Sequence, residues 1–321
     1  MQVPCHDVRA WLLTGAFSEN TIKSHDNQMR QYTRFCSALQ IEVRDEWSLA
    51  RWVMHSAEVL HLRKNTLLAK IEAFKWTHAN VWGLGPVNMA HGSTVRLLIR
   101  CVQRMADDRQ PKLPIGAAEL QAVLTRAEAR MATLEFKQLR AWCVLSYAGF
   151  LRCSEAAALC WRDVAFEADS TGVVSHVTVR LTVHGRHIFK NHSESILLRL
   201  QRYGQGSRLL CPVRCLSSWR QVSTETARVF TVQSDYARQQ LQIVASRALG
   251  NSQQQFGLHS LRAGAATDAE KQGQCLSEIM FQGRWKSATV LQYMRSGERM
   301  AAQLGVSVRR TRDTRCMEAR A

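Results

Sequence analysis

Toward its C-terminal end the chain reads His259-Ser260-Leu261-Arg262, then Gly283-Arg284-Trp285, then Tyr293. The three-residue step from His259 to Arg262 sets an imidazole and a guanidinium on one side of a helix. Trp285 adds an indole, which donates one N–H and accepts nothing. Tyr293 adds a phenol on the helical text Ala288-Thr-Val-Leu-Gln-Tyr293. Upstream, Arg152 stands in Leu151-Arg-Cys-Ser-Glu155, directly after Tyr147-Ala-Gly-Phe. These are the groups that metal-free cleavage of a phosphodiester needs. Its transition state gathers negative charge on the non-bridging oxygens, and fixed guanidiniums answer that charge. A nucleophile must attack in line, and the leaving oxygen must receive a proton.

Singly, each residue has an ordinary alternative. The His-x-x-Arg spacing recurs at His6 and Arg9, where nothing follows from it. His259 also reads as a core or surface histidine at a helix start. Arg152 also reads as a cation at a helix C-terminus, favoured by the macrodipole. Trp285 is one of nine tryptophans, most of which belong to cores. Lys190 is the only lysine between Arg152 and His259, in polar turn text with Gly185. An ammonium there can enter a groove and give up a proton where arginine cannot, or simply be a solvated turn residue. A phenol with its ordinary pKa near ~10 is a poor nucleophile at neutral pH. Two nearby guanidiniums would stabilise its phenolate; otherwise Tyr293 is an interfacial core tyrosine.

The order of these residues resembles the Arg … Lys … His-x-x-Arg … His/Trp … Tyr series of the tyrosine recombinase (phage integrase) family. The helical N-terminal text resembles that family's core-binding domain, so the resemblance spans nearly the whole chain. Trp285 to Tyr293 is one residue shorter than in most bacterial members, and with Gly283-Arg-Trp-Lys-Ser287 it looks more like recombinases of eukaryotic mobile elements of the DIRS or Crypton type. The resemblance implies a site-specific DNA recombinase, integrating or excising DNA through a 3′-phosphotyrosine. Arg152 and Arg262 would bind the scissile phosphate, Lys190 would protonate the leaving 5′ oxygen, and His259 would orient the phosphate and assist proton transfer. Trp285 would take the second-histidine position and Tyr293 would be the nucleophile. No cofactor or metal is implied. The implied partners are double-stranded DNA and three further copies, a homotetramer on DNA from a monomer or weak oligomer without it. Residues Gly297 to Val306 would be an exchanged helix docking on a neighbour. A eukaryotic host would place the protein in the nucleus, any other in the cytoplasm or nucleoid. Two rival readings are a type IB topoisomerase, which the all-helical N-terminal half disfavours, and a catalytically silent DNA-binding protein derived from a recombinase.

Composition agrees with a polyanion partner. The 321 residues carry a formal charge of +17, with 46% hydrophobic residues, enough for more than one core. Most of the basic excess lies C-terminal to residue 107. No apolar run is long enough for a membrane span, so no membrane partner is expected. Met1-Gln-Val-Pro-Cys-His-Asp7 lacks the basic start and apolar run of a secretory signal. The ten cysteines are scattered, and Cys36, Cys101, Cys143, Cys153 and Cys160 lie in apolar helical text, which predicts buried free thiols. Cys211 and Cys215 have no second ligand pair at metal spacing, so no zinc site is expected.

The expected fold is mainly α, with three segments: a helical-bundle DNA-clamp domain over 1–107, a proline-bearing linker at 108–114, and a mainly helical catalytic domain over 115–321 with one small antiparallel sheet and a basic tail. Helices are predicted from Ser18, Ser48 and Lys64, over 93–105, 116–130 and 135–148, and briefly from Ser154. Gly149 would terminate the helix of 135–148. Strands are predicted over 173–183 and from Ser195, joined by polar hairpin text. Helices return over 212–224, 234–248, 259–272 and 286–293.

Overall fold

The computed structural model describes residues 13, 15–90, 92–105, 112–181, 195–203, 208–224, 227–250, 256–285 and 290–291. They divide into two compact units, one before residue 110 and one after it.

The first unit consists of α1 (Glu19–Leu39), α2 (Glu46–Glu58), α3 (Lys64–Asn80) and α4 (Thr94–Arg104). Side-chain caps set three of the starts. The Ser18 hydroxyl accepts the Thr21 N–H at 3.2 Å, and Ser93 does the same for Arg96 at 3.3 Å. Helix α2 begins two residues before the expected Ser48, because the Asp45 carboxylate takes the Ser48 N–H at 2.9 Å. Helix α3 packs against α1, α2 and α4, and the core gathers around it: Tyr32, Cys36, Leu49, Trp52, Leu67, Ile71, Phe74 and Val102 are buried. Tyr32 meets Trp52 and Phe74 with ring centroids 5.0 and 5.7 Å apart. One charge lies inside this core. Lys70 is buried with its ammonium 3.9 Å from the centre of the Trp52 ring, donating to Gln28 and Gln31 Oε1 at 3.3 Å each.

The second unit holds α5 (Ala117–Glu128), α6 (Thr133–Ala148), α7 (Cys153–Ala158), β1 (Val164–Ala168), β2 (Val174–Leu181), β3 (Ile196–Gln201), α8 (Pro212–Val222), α9 (Ser234–Leu249), α10 (Leu258–Lys271) and α11 (Leu276–Gly283). Helix α6 is buried on most sides, as a helix apolar all round must be, with Phe136, Leu139, Trp142, Cys143, Val144 and Leu145 inside. It packs against α5, α8, α9 and α10. The sheet is antiparallel in the order β1-β2-β3, with Val164 opposite Val179 and Val179 opposite Leu198. Val177, Val179 and Leu181 alternate inward. Strand β1 is five residues long and was not expected from its text, Val164-Ala-Phe-Glu-Ala. Helix α11 was not expected either, and most of the expected helix at 286–293 lies outside the described residues, as does the polar hairpin text.

Two close approaches lock α10 in place. A Cβ on Gly264 would lie 1.8 Å from the Ile115 carbonyl oxygen, so only glycine lets that strand of chain pass over the helix. The Asp268 carboxylate accepts the Ala117 N–H at 2.7 Å and the Tyr147 hydroxyl at 2.8 Å, tying α10 to the start of α5 and the end of α6.

The eight described cysteines are free. Cys36 and Cys143 are buried as expected, but Cys101 is exposed, since α4 turns its neighbour Val102 inward instead. Burial pushes the thiols of Cys143 and Cys215 up to about 12, so both stay protonated. No helix among the described residues is long and apolar enough to cross a membrane.

Candidate functional site

Four of the six expected site residues are described: Arg152, His259, Arg262 and Trp285. Lys190 and Tyr293 lie outside the described residues. The four come together where the α6–α7 corner meets the start of α10 and the end of α11.

The corner is built around Phe150. Gly149 caps α6 with an ordinary φ of −92°, and the left-handed residue is Phe150, with φ 50°. Gly149 was expected to end this helix, and it does. The left-handed turn at Phe150 has a purpose in the contacts: the Phe150 carbonyl accepts from Arg262 Nη1 and, at 2.8 Å, from Arg284 Nη2. Its side chain is buried with Ala265, Ala266, Ile279 and Val290 and meets the Trp285 ring edge-on, centroids 6.3 Å apart.

Arg262 is almost completely buried, at 1% exposure. Its Nη1 donates to the Phe150 carbonyl and its Nη2 to the Gly283 carbonyl. The Trp285 ring lies over the guanidinium, 4.0 Å from ring centre to Cζ, a cation–π contact. His259 stands in the first turn of α10, exposed at the surface with protein packed around part of the ring. Burial, then Arg262, then Arg152 lower the His259 pKa below its usual value, so the imidazole is neutral at pH 7.

Arg152 immediately precedes α7, at a helix N-terminus rather than the C-terminus considered from sequence. A cation there opposes the helix dipole. Glu155 compensates: its Oε1 pairs with Arg152 Nη1 at 2.6 Å and its Oε2 accepts the Arg152 backbone N–H at 2.9 Å. The same Oε2 accepts from Arg284 Nη2 at 2.8 Å. Arg284 Nη1 reaches the Gly149 carbonyl at 3.1 Å, and Arg152 Nη2 reaches the Arg284 carbonyl at 3.3 Å. Burial alone would raise the Glu155 carboxyl, but the charge of Arg284 and the hydrogen bonds and charge of Arg152 outweigh it and hold the carboxyl below its usual range. Burial lowers the Arg284 pKa in spite of Glu155. A guanidinium starts so high that it stays charged at neutral pH, so the pair is ionic. Two guanidiniums, those of Arg152 and Arg284, thus share one carboxylate, and with Arg262 nearby the cluster is positive and suited to an anion with several oxygens.

Sequence reasoning missed Glu155 and Arg284. For Glu155 a signal existed: a carboxylate three residues after Arg152 is where a helix N-terminus accepts one. For Arg284 there was none, since an arginine between a glycine and a tryptophan reads as a surface residue until its side chain is seen folded inward.

No protein-family model matches this sequence, and no curated protein matches it. Solved structures do. The Tn1549 transposon integrase in complex with a circular intermediate DNA superposes with a TM-score of 0.59 at 11% identity, over 90% of this chain and 94% of that one. The lambda integrase bound to DNA gives 0.57 at 13% identity, over 92% and 95%. The XerH site-specific recombinase bound to palindromic difH substrate, a post-cleavage complex, gives 0.57 at 15% identity, over 82% of this chain and 72% of that one. At such identities the likeness is one of architecture. In its succession of helices around a small antiparallel sheet, this chain has the fold of the tyrosine recombinases.

Proposed function

We propose that the protein is a site-specific DNA recombinase that breaks and rejoins duplex DNA through a 3′-phosphotyrosine. One observation carries the reading. His259 shares the first turns of α10 with Arg262 and lies within the electrostatic reach of Arg152, which stands at the start of α7, far from both along the chain. A neutral imidazole beside two guanidiniums suits a phosphodiester, whose oxygens take the cations while the hydroxyl that attacks it sheds a proton. The solved structures of this fold that superpose on the chain include complexes with DNA.

In this reaction the Tyr293 oxygen attacks phosphorus and the bond from phosphorus to the 5′ oxygen breaks. Arg152 and Arg262 hold the non-bridging oxygens. His259 orients the phosphate and assists removal of the phenol proton, and Lys190 protonates the departing 5′ oxygen. Trp285 keeps Arg262 covered. A 5′-hydroxyl of the partner strand then attacks the phosphotyrosine and restores the phenol. One phosphoester replaces another at each step, so bond energy is conserved without a nucleotide cofactor. The first unit serves as the DNA clamp, and four copies assemble on two duplexes, with Gly297 to Val306 exchanged between neighbours.

The test is covalent capture. Protein incubated with uniformly 32P-labelled DNA fragments of its host genome is expected to retain label on a denaturing gel after nuclease digestion, and Tyr293→Phe to retain none. Equal label on Tyr293→Phe would overturn the nucleophile. The second reading, a silent DNA-binding protein, draws on the burial of Arg262 and its two carbonyl partners. A sequence-specific complex that never yields adduct would decide for it.

A further inference from the structure

Arg284 has no role in the chemistry above, yet its placement is costly. It follows α11 with φ 57° and ψ 43°, a left-handed conformation that glycine adopts freely and arginine does not. Its side chain is buried, with four hydrogen bonds to the α6–α7 corner and its surroundings: Gly149 and Gln282 carbonyls at 3.1 Å, the Phe150 carbonyl at 2.8 Å and Glu155 Oε2 at 2.8 Å. The backbone conformation is what turns the guanidinium inward.

Glu155 stands between two guanidiniums of unequal burial. The Arg284 side chain is 3% exposed, and that of Arg152 is 18% exposed. Left alone with Arg152, a carboxylate whose Oε2 keeps only the Arg152 backbone N–H can take the guanidinium in the bidentate fork that guanidiniums favour. That fork would neutralise Arg152 and hold it away from any other anion. With Arg284 on Oε2, Arg152 Nη1 is held on Oε1 only. The triad keeps one positive charge in excess, on its solvent side.

We propose that Arg284 is a positioning residue for Arg152: it takes up one oxygen and the charge of Glu155, so that Arg152 is oriented by the carboxylate and still carries its charge to a phosphate. The purpose rests on the recombinase reading; the charge balance does not. The depressed pKa of His259, to which Arg152 contributes, gives a readout that needs no DNA.

The experiment compares wild type, Glu155→Gln, Arg284→Gly and the double variant Glu155→Gln/Arg284→Gly. Glycine removes the guanidinium and suits the left-handed backbone. Single-turnover adduct formation is measured on DNA that the wild type captures, with DNA affinity and thermal unfolding alongside. Arg284→Gly is expected to cleave at least about 10-fold more slowly at nearly unchanged DNA affinity. Its His259 pKa, followed by NMR in the protein alone, is expected to rise toward the ordinary histidine value. The double variant is expected to regain much of the rate and the depressed His259 pKa, because no carboxylate remains to neutralise Arg152 while the glutamine amide oxygen at position 155 can still accept from its Nη1 and orient it. A purely structural anchor predicts the reverse, a double variant no better than Arg284→Gly. That outcome, or an Arg284→Gly rate equal to wild type, would overturn the proposal. Should Arg284→Gly not fold, Glu155→Gln is the reference. Removing Arg284 from it should change the rate by less than about 2-fold, and a further loss of about 10-fold or more overturns the proposal. Absence of adduct from the wild type itself would refute the recombinase reading and leave the His259 titration to judge Arg284.

Discussion

A Cβ on Gly283 would lie 1.6 Å from Cζ3 of the Trp285 ring. The glycine is therefore the floor on which the indole lies, and the indole in turn covers the Arg262 guanidinium. Gly283→Ala sets two effects against each other. Alanine favours a helix end by up to ~1 kcal/mol, but the ring has to leave its place. Losing the ring's packing and its cation–π contact outweighs this, with a net loss of about 2 kcal/mol. Chemical denaturation checks the value. In a Trp285→Ala background the same substitution should be neutral or stabilising; a loss of equal size there would show that the indole is not what the glycine accommodates.

His259 makes a pH-dependent prediction. Its pKa in the folded protein is depressed by burial and by Arg262 and Arg152. A depressed folded value means that the unfolded chain binds the proton more readily. The stability from this group is present above the unfolded pKa near ~6.5 and is lost as pH falls through the folded value. His259→Gln should remove that part of the acid dependence. Binding of a phosphodiester brings negative charge to the ring, so the His259 pKa should move upward in the DNA complex. An NMR titration with no upward movement would show that the phosphate does not sit beside this imidazole.

The helical pattern of the first unit was legible because capping residues and apolar spacing pointed the same way, as at Ser18 and Ser93. Arg152, His259, Arg262 and Trp285 could be singled out as a series only from their order and spacing along the chain. What the text concealed is three-dimensional. Phe150 takes the left-handed turn beside an available glycine because its carbonyl serves two guanidiniums from α10 and the end of α11. Strand β1 is too short for its alternation to stand out, and it exists because β2 offers it a partner. Arg284 looked like surface because nothing local shows that Glu155 waits for it.

Asp268 offers a test of how firmly α10 must be held. Its carboxylate takes the Ala117 N–H and the Tyr147 hydroxyl, so one side chain joins three helices. Asp268→Asn keeps the shape but turns one acceptor into a donor facing those donors. A loss of about 1–3 kcal/mol is expected for the part-buried groups left unpaired. Because α10 carries His259 and Arg262, adduct formation should fall even at temperatures where the variant stays folded. Unchanged melting temperature would show that the contact is idle.

Lys70 isolates the first unit from the second. Burial among apolar side chains lowers its pKa to about 8 from the ordinary 10.5. The folded value lies below the unfolded one, so at pH 7 the folded state bears the full penalty of a buried charge, and stability rises as pH climbs from about 8 through 10.5. Lys70→Met fills a similar volume against Trp52 and removes the charge, at the expense of the ring contact and two bonds to Gln28 and Gln31. Desolvation is the larger of these effects for a charge without a carboxylate partner, so the variant should be more stable at pH 7 by about 1–2 kcal/mol. Its stability should also lose the rise between pH 8 and 10.5. Denaturant melts of the whole chain at both pH values, followed by tryptophan fluorescence, measure this; a variant less stable at pH 7 would mean that the ammonium–indole contact outweighs the desolvation.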